Sequence, residues 1–238
     1  MKLSSLSSSG RLLEVDVLLA IDTSTQTIGV AIYNDPVVVG ESQWKSGNHH
    51  TVELTSAVEQ LMKRCAVKPD DLTLLVVALG PGTFTGLRVG LAFAKGLALS
   101  LRLPIIGIPT FDYLAASQPL SEHPMVVLLP AGRTRLAVGW YAVTESCWQP
   151  TALPVVMTPH ELSDHIQGPT ILCGELSAEE RQTLGRKWKN AMLVSPAQSV
   201  RHPSMLAEIG WQRWQAGQRD DPVLLSPIYL HIAEAIPG

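Results

Sequence analysis

The chain has 238 residues, of which 46% are hydrophobic and 16% charged, and its formal net charge is -3. That length suffices for two modest lobes with real cores, and the composition excludes long-range disorder. The charge excludes a cationic surface able to hold nucleic acid alone, so any RNA would be met indirectly, through a partner.

Residues 1–15 are serine-rich, with Lys2 and Arg11, and lack the apolar stretch of a signal peptide. They read as a flexible N-terminal extension. Val17 to Ile21 is a short apolar strand ending in the turn Asp22-Thr23-Ser24-Thr25. Thr27 to Tyr33 is a second strand, Asn34-Asp35-Pro36 a turn, and Val37 to Gly40 the start of a third. A helix follows from about His49 to Arg64. Leu54, Ala57, Val58, Leu61 and Met62 form its single apolar stripe, and Lys63 and Arg64 suit its negative end.

Leu72 to Leu79 is apolar throughout, so it reads as a strand covered on both faces, as in a parallel sheet. It runs into Gly80-Pro81-Gly82-Thr83-Phe84-Thr85-Gly86-Leu87-Arg88-Val89-Gly90, the most specific stretch of the chain. The Gly-Pro-Gly turn stops the strand, and Thr83 is placed to cap a new helix. Within that helix Gly86, Gly90, Ala94 and Ala98 make one small row, and Ala92, Gly96 and Ser100 another. Each interior glycine costs about 0.8–1 kcal/mol against alanine, so something must approach closely. Arg88 and Lys95 are its only charges, so it needs cover on most sides, and a subunit interface is expected. Pro104 to Ile108 should be a strand and Thr110 to Ala116 a short helix.

The pattern then restarts. Met125 to Leu129 repeats Val17 to Ile21, and Arg133 to Tyr141 repeats Thr25 to Tyr33. Thr170 to Cys173 reads as a strand, and Pro159 to Ile166 and Pro203 to Gln215 as helices. The expected organisation is a first domain at 16–118 and a second, degenerate one at 119–238. Two such copies suggest an α/β fold of duplicated, mixed-sheet, ribonuclease H-like domains, the two-domain actin-like or Hsp70-like ATPase superfold. There a nucleotide sits between the domains, and the first hairpin of each presents an acid to phosphate and metal.

Asp22, Thr23 and Ser24 are therefore the candidate phosphate residues, against a plain Asx-type turn as the structural alternative. In the second copy Pro130 stands where Asp22 stands in the first. Proline offers neither carboxylate nor N–H, so catalytic nucleotide hydrolysis by this chain alone is not expected. His49 and His50 are adjacent and do not converge on one metal, and the other histidines are dispersed, so no metal site is expected. His50 reads as a surface or interface residue. Gly82-Thr83-Phe84-Thr85-Gly86 mimics a serine-nucleophile elbow without the serine. An anion at the start of its helix is the alternative to a purely structural turn. Cys65, Cys147 and Cys173 form no CxxC pair, which fits a reducing cytoplasm. No continuous apolar run reaches membrane-spanning length, the best candidate being Leu97 to Ile108, so no membrane is expected.

Leu19 to Thr25 together with Gly80 to Gly90 resembles the TsaB (YeaZ) family of tRNA threonylcarbamoyladenosine biosynthesis proteins. Ala94 to Ala98, Pro104 to Ile108 and Pro227-Ile228-Tyr229-Leu230 extend the likeness. The resemblance implies a two-domain actin-like fold with no catalytic residues, no metal and no cofactor of its own. ATP would enter only at the level of a complex. It implies pairing with a TsaD-like catalytic subunit, which modifies the adenosine beside the anticodon, and with a TsaE-like ATPase. Without that partner the same surface makes a homodimer. The pairing helices carry over here to His50, Leu54, Ala57, Val58 and Leu61 on the first. On the second they are Thr85, Gly86, Val89, Gly90, Phe93, Ala94 and Leu97. The chain departs from the family at Pro130-Ala131-Gly132 and at His231. A small-molecule or sugar kinase of the same superfold is the other function class.

Overall fold

A strand buried along its whole length needs partners on both edges and cover on both faces, and β1 (Val17–Asp22) has all four. In the computed structural model, which describes residues 16–47, 50–132, 134–186 and 190–230, β1 lies at the centre of a five-stranded sheet. It pairs antiparallel with β2 (Thr27–Asn34), which pairs antiparallel with β3 (Val37–Lys45). On its other side it pairs parallel with β4 (Leu72–Gly80), followed by parallel β5 (Ile105–Pro109). The order is β3-β2-β1-β4-β5. The third strand is longer than its apolar start implies, because Glu41 to Lys45 keep pairing with β2, with Ser42, Gln43 and Trp44 half-buried between exposed Glu41 and Lys45.

The second half builds the same sheet again from β6 (Met125–Pro130), β7 (Leu136–Thr144), β8 (Cys147–Pro150), β10 (Thr170–Gly174) and β11 (Ala191–Leu193). Its order, β8-β7-β6-β10-β11, is that of the first sheet, and β9 (Val155–Met157) also pairs with β7. The chain is thus a duplicated two-domain actin-like α/β fold. The second hairpin is one residue tighter. Ile21 faces Val30 in the first, whereas Leu129 faces Ala137 in the second.

Two helices cover one face of the first sheet, α1 (His50–Arg64) and α2 (Phe84–Leu101). Leu54, Val58, Leu61, Leu91 and Ala94 pack there on Leu19, Ile21, Leu75 and Val77. Thr83 caps α2 by accepting from the Gly86 N–H at 3.3 Å, and Arg102 closes it in the left-handed region. Among the described residues α2, with a mean hydropathy of 1.3 over its 18 residues, rather than Leu97 to Ile108, is the helix long and apolar enough to cross a membrane by length and composition. Here its Gly86, Gly90, Ala94 and Ala98 row is buried on the sheet.

Across the expected division at 16–118 and 119–238, each half lends a helix to the other. The opposite face of the first sheet is covered by α6 (Pro203–Gln215), whose Leu206 and Ala207 pack on Leu18, Ala20, Leu74 and Val76. Gly210 lets α6 lie directly on Val76. Conversely α3 (Thr110–Ala116) sends Phe111, Leu114 and Ala115 against Met125, Val127 and Leu129 of the second sheet. Two short helices, α4 (Pro159–His165) and α5 (Ala178–Gly185), cover its other face through Leu162 and Leu184. The expected extension 1–15, His49, Arg133 and His231 lie outside the described residues.

Candidate functional site

The turn between β1 and β2 sits where the two lobes meet, and it carries all three candidate phosphate residues. Asp22, Thr23 and Ser24 are buried, with at most 2% of any of them exposed. One Asp22 oxygen accepts from the Ser24 N–H at 2.8 Å, the Asx turn that the sequence offers as its structural reading. The other accepts from the Tyr113 hydroxyl and from the Arg201 guanidinium, an ion pair with no exposed side-chain surface on either side.

Arg201 uses all five of its N–H donors. Nη1 donates to Asp22 and, at 3.1 Å, to the Tyr113 hydroxyl. Nη2 donates to Thr25 Oγ1 at 2.7 Å and to the Thr27 carbonyl at 3.0 Å. Nε donates to Glu175 at 2.8 Å, and Glu175 also accepts from Thr25 Oγ1 at 3.1 Å. Burial alone would lower the guanidinium's proton affinity, but Asp22, Tyr113 and Glu175 outweigh it and hold it above its ordinary value. Burial pushes the Tyr113 hydroxyl well up; Arg201 opposes this and Asp22 adds to it.

A magnesium–phosphate group does not fit these residues. Both Asp22 oxygens are engaged by protein donors, and one of them is already paired with a permanent internal cation, Arg201. The geometry of Asp22, Thr23 and Ser24 is that of the Asx-type turn given as the structural alternative. Thr23 donates to the Gly86 carbonyl at 2.7 Å, and Ser24 Oγ shares a 2.8 Å bond with Thr110. Nothing in Ser199-Val200-Arg201-His202-Pro203 marks Arg201 in the sequence, and its partner Asp22 is 179 positions away.

The pairing residues separate into two groups. Gly86, Gly90 and Ala94 turn inward, with Gly86 and Gly90 lying directly against Thr23. They are not an outer surface, because the β1–β2 turn already occupies the space their missing side chains leave. Val58 and Leu61 belong to the same core, and His50 is also buried, its Nε2 at 3.0 Å from the Thr25 carbonyl. Thr85 is exposed, whereas Val89, Phe93, Leu97 and Ala57 are half-buried, each packing one side against the core edge. Thr51 and Leu54 of α1 with Arg88, Val89, Ala92 and Phe93 of α2 line a groove of about 470 Å³. The second small row, Ala92, Gly96 and Ser100, is exposed, as are Phe84 at 57% and Leu99 at 83%. The late Pro-Ile-Tyr-Leu motif returns to this end of α2. Ile228 donates to the Leu79 carbonyl at 2.7 Å, Tyr229 stacks 5.3 Å from Phe84, and Arg88 lies over the other ring at 4.0 Å.

The cysteines differ in their surroundings. Burial pushes the Cys173 thiol up to about 12, whereas Cys147 is exposed. Thiolate is the reactive form. Iodoacetamide at neutral pH should therefore alkylate Cys147 first and Cys173 only on unfolding, as followed by mass spectrometry of peptides. Early labelling of Cys173 would contradict its burial.

Comparison with known proteins places this arrangement. Residues 44–195 match the family model described as TsaD: tRNA N6-adenosine threonylcarbamoyltransferase. Fold and site together define an actin-like domain pair of the TsaD type whose interlobe acid is sealed by an arginine. A Bacillus subtilis protein, tRNA threonylcarbamoyladenosine biosynthesis protein TsaB, is 31% identical over 92% of this chain and 95% of its own length. Its Escherichia coli namesake is 36% identical over 66% of this chain and 70% of its own. The chain belongs to the TsaB (YeaZ) family. The solved YeaZ structure from Pseudomonas aeruginosa shares the fold, with a TM-score of 0.72 and 20% identity over 90% of this chain and all of that one.

Proposed function

We propose that this chain is the non-catalytic scaffold subunit in biosynthesis of threonylcarbamoyladenosine on tRNA, the modification named for its relatives. In this reading it pairs with a TsaD-like catalytic subunit, assembles with a TsaE-like ATPase, and meets tRNA only through that complex in the cytoplasm. Alone it forms a homodimer, and it carries no metal or nucleotide of its own. The observation that carries the reading is the Asp22–Arg201 pair, which uses the acid that a kinase or ATPase of this fold would need. The same pair argues against the sugar-kinase reading. The outward groove between α1 and α2 supports pairing. Val89, Phe93 and Leu97 offer apolar area, and Ala92 and Gly96 let a second helix approach closely.

The purified chain should neither hydrolyse ATP nor transfer carbamoyl groups, and should restore tRNA modification when mixed with the catalytic and ATPase subunits. Turnover by the isolated chain, in proportion to its concentration, would overturn the non-catalytic assignment. Ala92 is exposed, so Ala92→Arg should leave the melting temperature within a few degrees of the parent. It should weaken both self-association and binding to the TsaD-like subunit by roughly tenfold or more, since 1.4 kcal/mol is one decade. Sedimentation and titration calorimetry read the two effects. A folded Ala92→Arg that pairs normally removes the groove from the interface.

A further inference from the structure

We propose that Arg201 is a positioning residue, a clasp that fixes the two lobes against each other and, through the β1–β2 turn, sets how α1 and α2 frame the outer groove. Its guanidinium bonds to both lobes at once, and the Thr25 hydroxyl beside it adds a second, longer bridge to Glu175 at 3.1 Å. Asp22, Thr25 and Thr27 come from the first sheet, and Glu175 follows the central parallel strand of the second. The fork is fully satisfied, which gives it one orientation rather than several. Glu175 is in turn fixed by its own N–H, which donates to the Leu128 carbonyl at 3.1 Å.

The turn held by Arg201 on one side holds the groove helices on the other. Thr23 Oγ1 donates to the Gly86 carbonyl in the first turns of α2 at 2.7 Å. The Thr83 N–H at the cap of α2 donates to the Ser24 carbonyl at 2.6 Å. His50, the first residue of α1, reaches the Thr25 carbonyl at 3.0 Å. Four consecutive residues, Asp22 to Thr25, therefore connect the interlobe cation to the starts of both groove helices. Ser24 adds α3 through Thr110, which also accepts from the Gly80 N–H at 3.0 Å. A buried ion pair is weak evidence for stability, since apolar residues of similar volume often replace one without loss. Its geometric role is the better account of five donors converging from one residue. The proposal concerns this chain by itself and does not depend on any partner.

The test uses spin labels on Cys147, exposed in the second lobe, and on Val52→Cys, exposed on α1, in a Cys65→Ser background. The parent should give one narrow inter-label distance. Arg201→Ala should broaden it and speed amide exchange in the first turns of α1 and α2 by about tenfold. Millimolar guanidinium should narrow the distribution again by refilling the vacated fork, and equal sodium chloride should not. Leu206→Ala, which loosens α6 without touching the fork, should show no rescue by guanidinium. Arg201→Lys keeps the charge and loses the fork, and should broaden the distance partially even if Arg201→Ala fails to fold. An unchanged distance in Arg201→Lys, or a broadening in Arg201→Ala that guanidinium leaves untouched, overturns the proposal.

Discussion

Asp22→Ala should unfold this protein at a much lower temperature while changing no exposed surface. The substitution leaves a fully buried guanidinium facing Tyr113, two threonine oxygens and a single remaining carboxylate, Glu175. Removing one partner of a buried pair typically costs about 3–5 kcal/mol, because the other charge stays desolvated without its counter-ion. At about 2–4 °C per kcal/mol for a chain of this size, the melting temperature should fall by roughly 6–20 °C. Asp22→Asn keeps an acceptor for Ser24 but loses the charge, so it should fall between Asp22→Ala and the parent. Calorimetry of the three proteins at one concentration makes the comparison. If Asp22→Ala melts within a degree or two of the parent, Arg201 is not held by this charge, and the sealed-site argument for a non-catalytic chain loses its basis.

The contrast between what was readable in the sequence and what was not follows from the range of the forces involved. Strands such as Val17 to Ile21 and Leu72 to Leu79 declare themselves, since a continuous apolar run must be covered on both faces. The cap at Thr83 and the stripe of α1 are likewise local. The duplication is legible because both hairpins keep their order, and the matching strand orders of the two sheets agree with it. The capping box Ser177-x-x-Glu180 that opens α5 is an equally local signal, one that the reading of the sequence above passes over.

What is not legible is which partner a local feature meets. An apolar helical face does not say which sheet it will cover, so the exchange of α3 and α6 between the halves is invisible in the spacing. Two small rows on α2 have the same periodicity. Composition does not tell that Gly86 and Gly90 face the chain's own turn while Ala92 and Gly96 face outward. Nor does a single arginine two residues ahead of a proline announce that it will be wholly buried. Its burial depends on five acceptors that only the finished fold assembles.

That distinction between the two rows yields opposite signs for the same chemical change. Gly86→Ala should destabilise the protein and Gly96→Ala should stabilise it. Gly96 sits in the interior of α2, where alanine is favoured over glycine by about 0.8–1 kcal/mol, while Gly86 sits in its first turn, where that gain is smaller. At position 96 a Cβ meets no described atom within 4 Å, so the helical gain should appear nearly whole, raising the melting temperature by about 2–4 °C. At position 86 a Cβ would overlap the Thr23 carbonyl oxygen and Thr83 Oγ1. The first is backbone, and it belongs to the turn that Arg201 holds from the other side, so it has nowhere to retreat. Overpacking of that kind costs about 1–3 kcal/mol and occasionally more, which exceeds the helical gain. Gly90→Leu places a larger group against the Thr23 side chain and should lose more still, with any remaining folded protein still able to pair. Melting curves at low concentration, where self-association contributes least, give the signs directly. If Gly86→Ala and Gly96→Ala shift the melting temperature in the same direction, the division of α2 into an inward and an outward row fails.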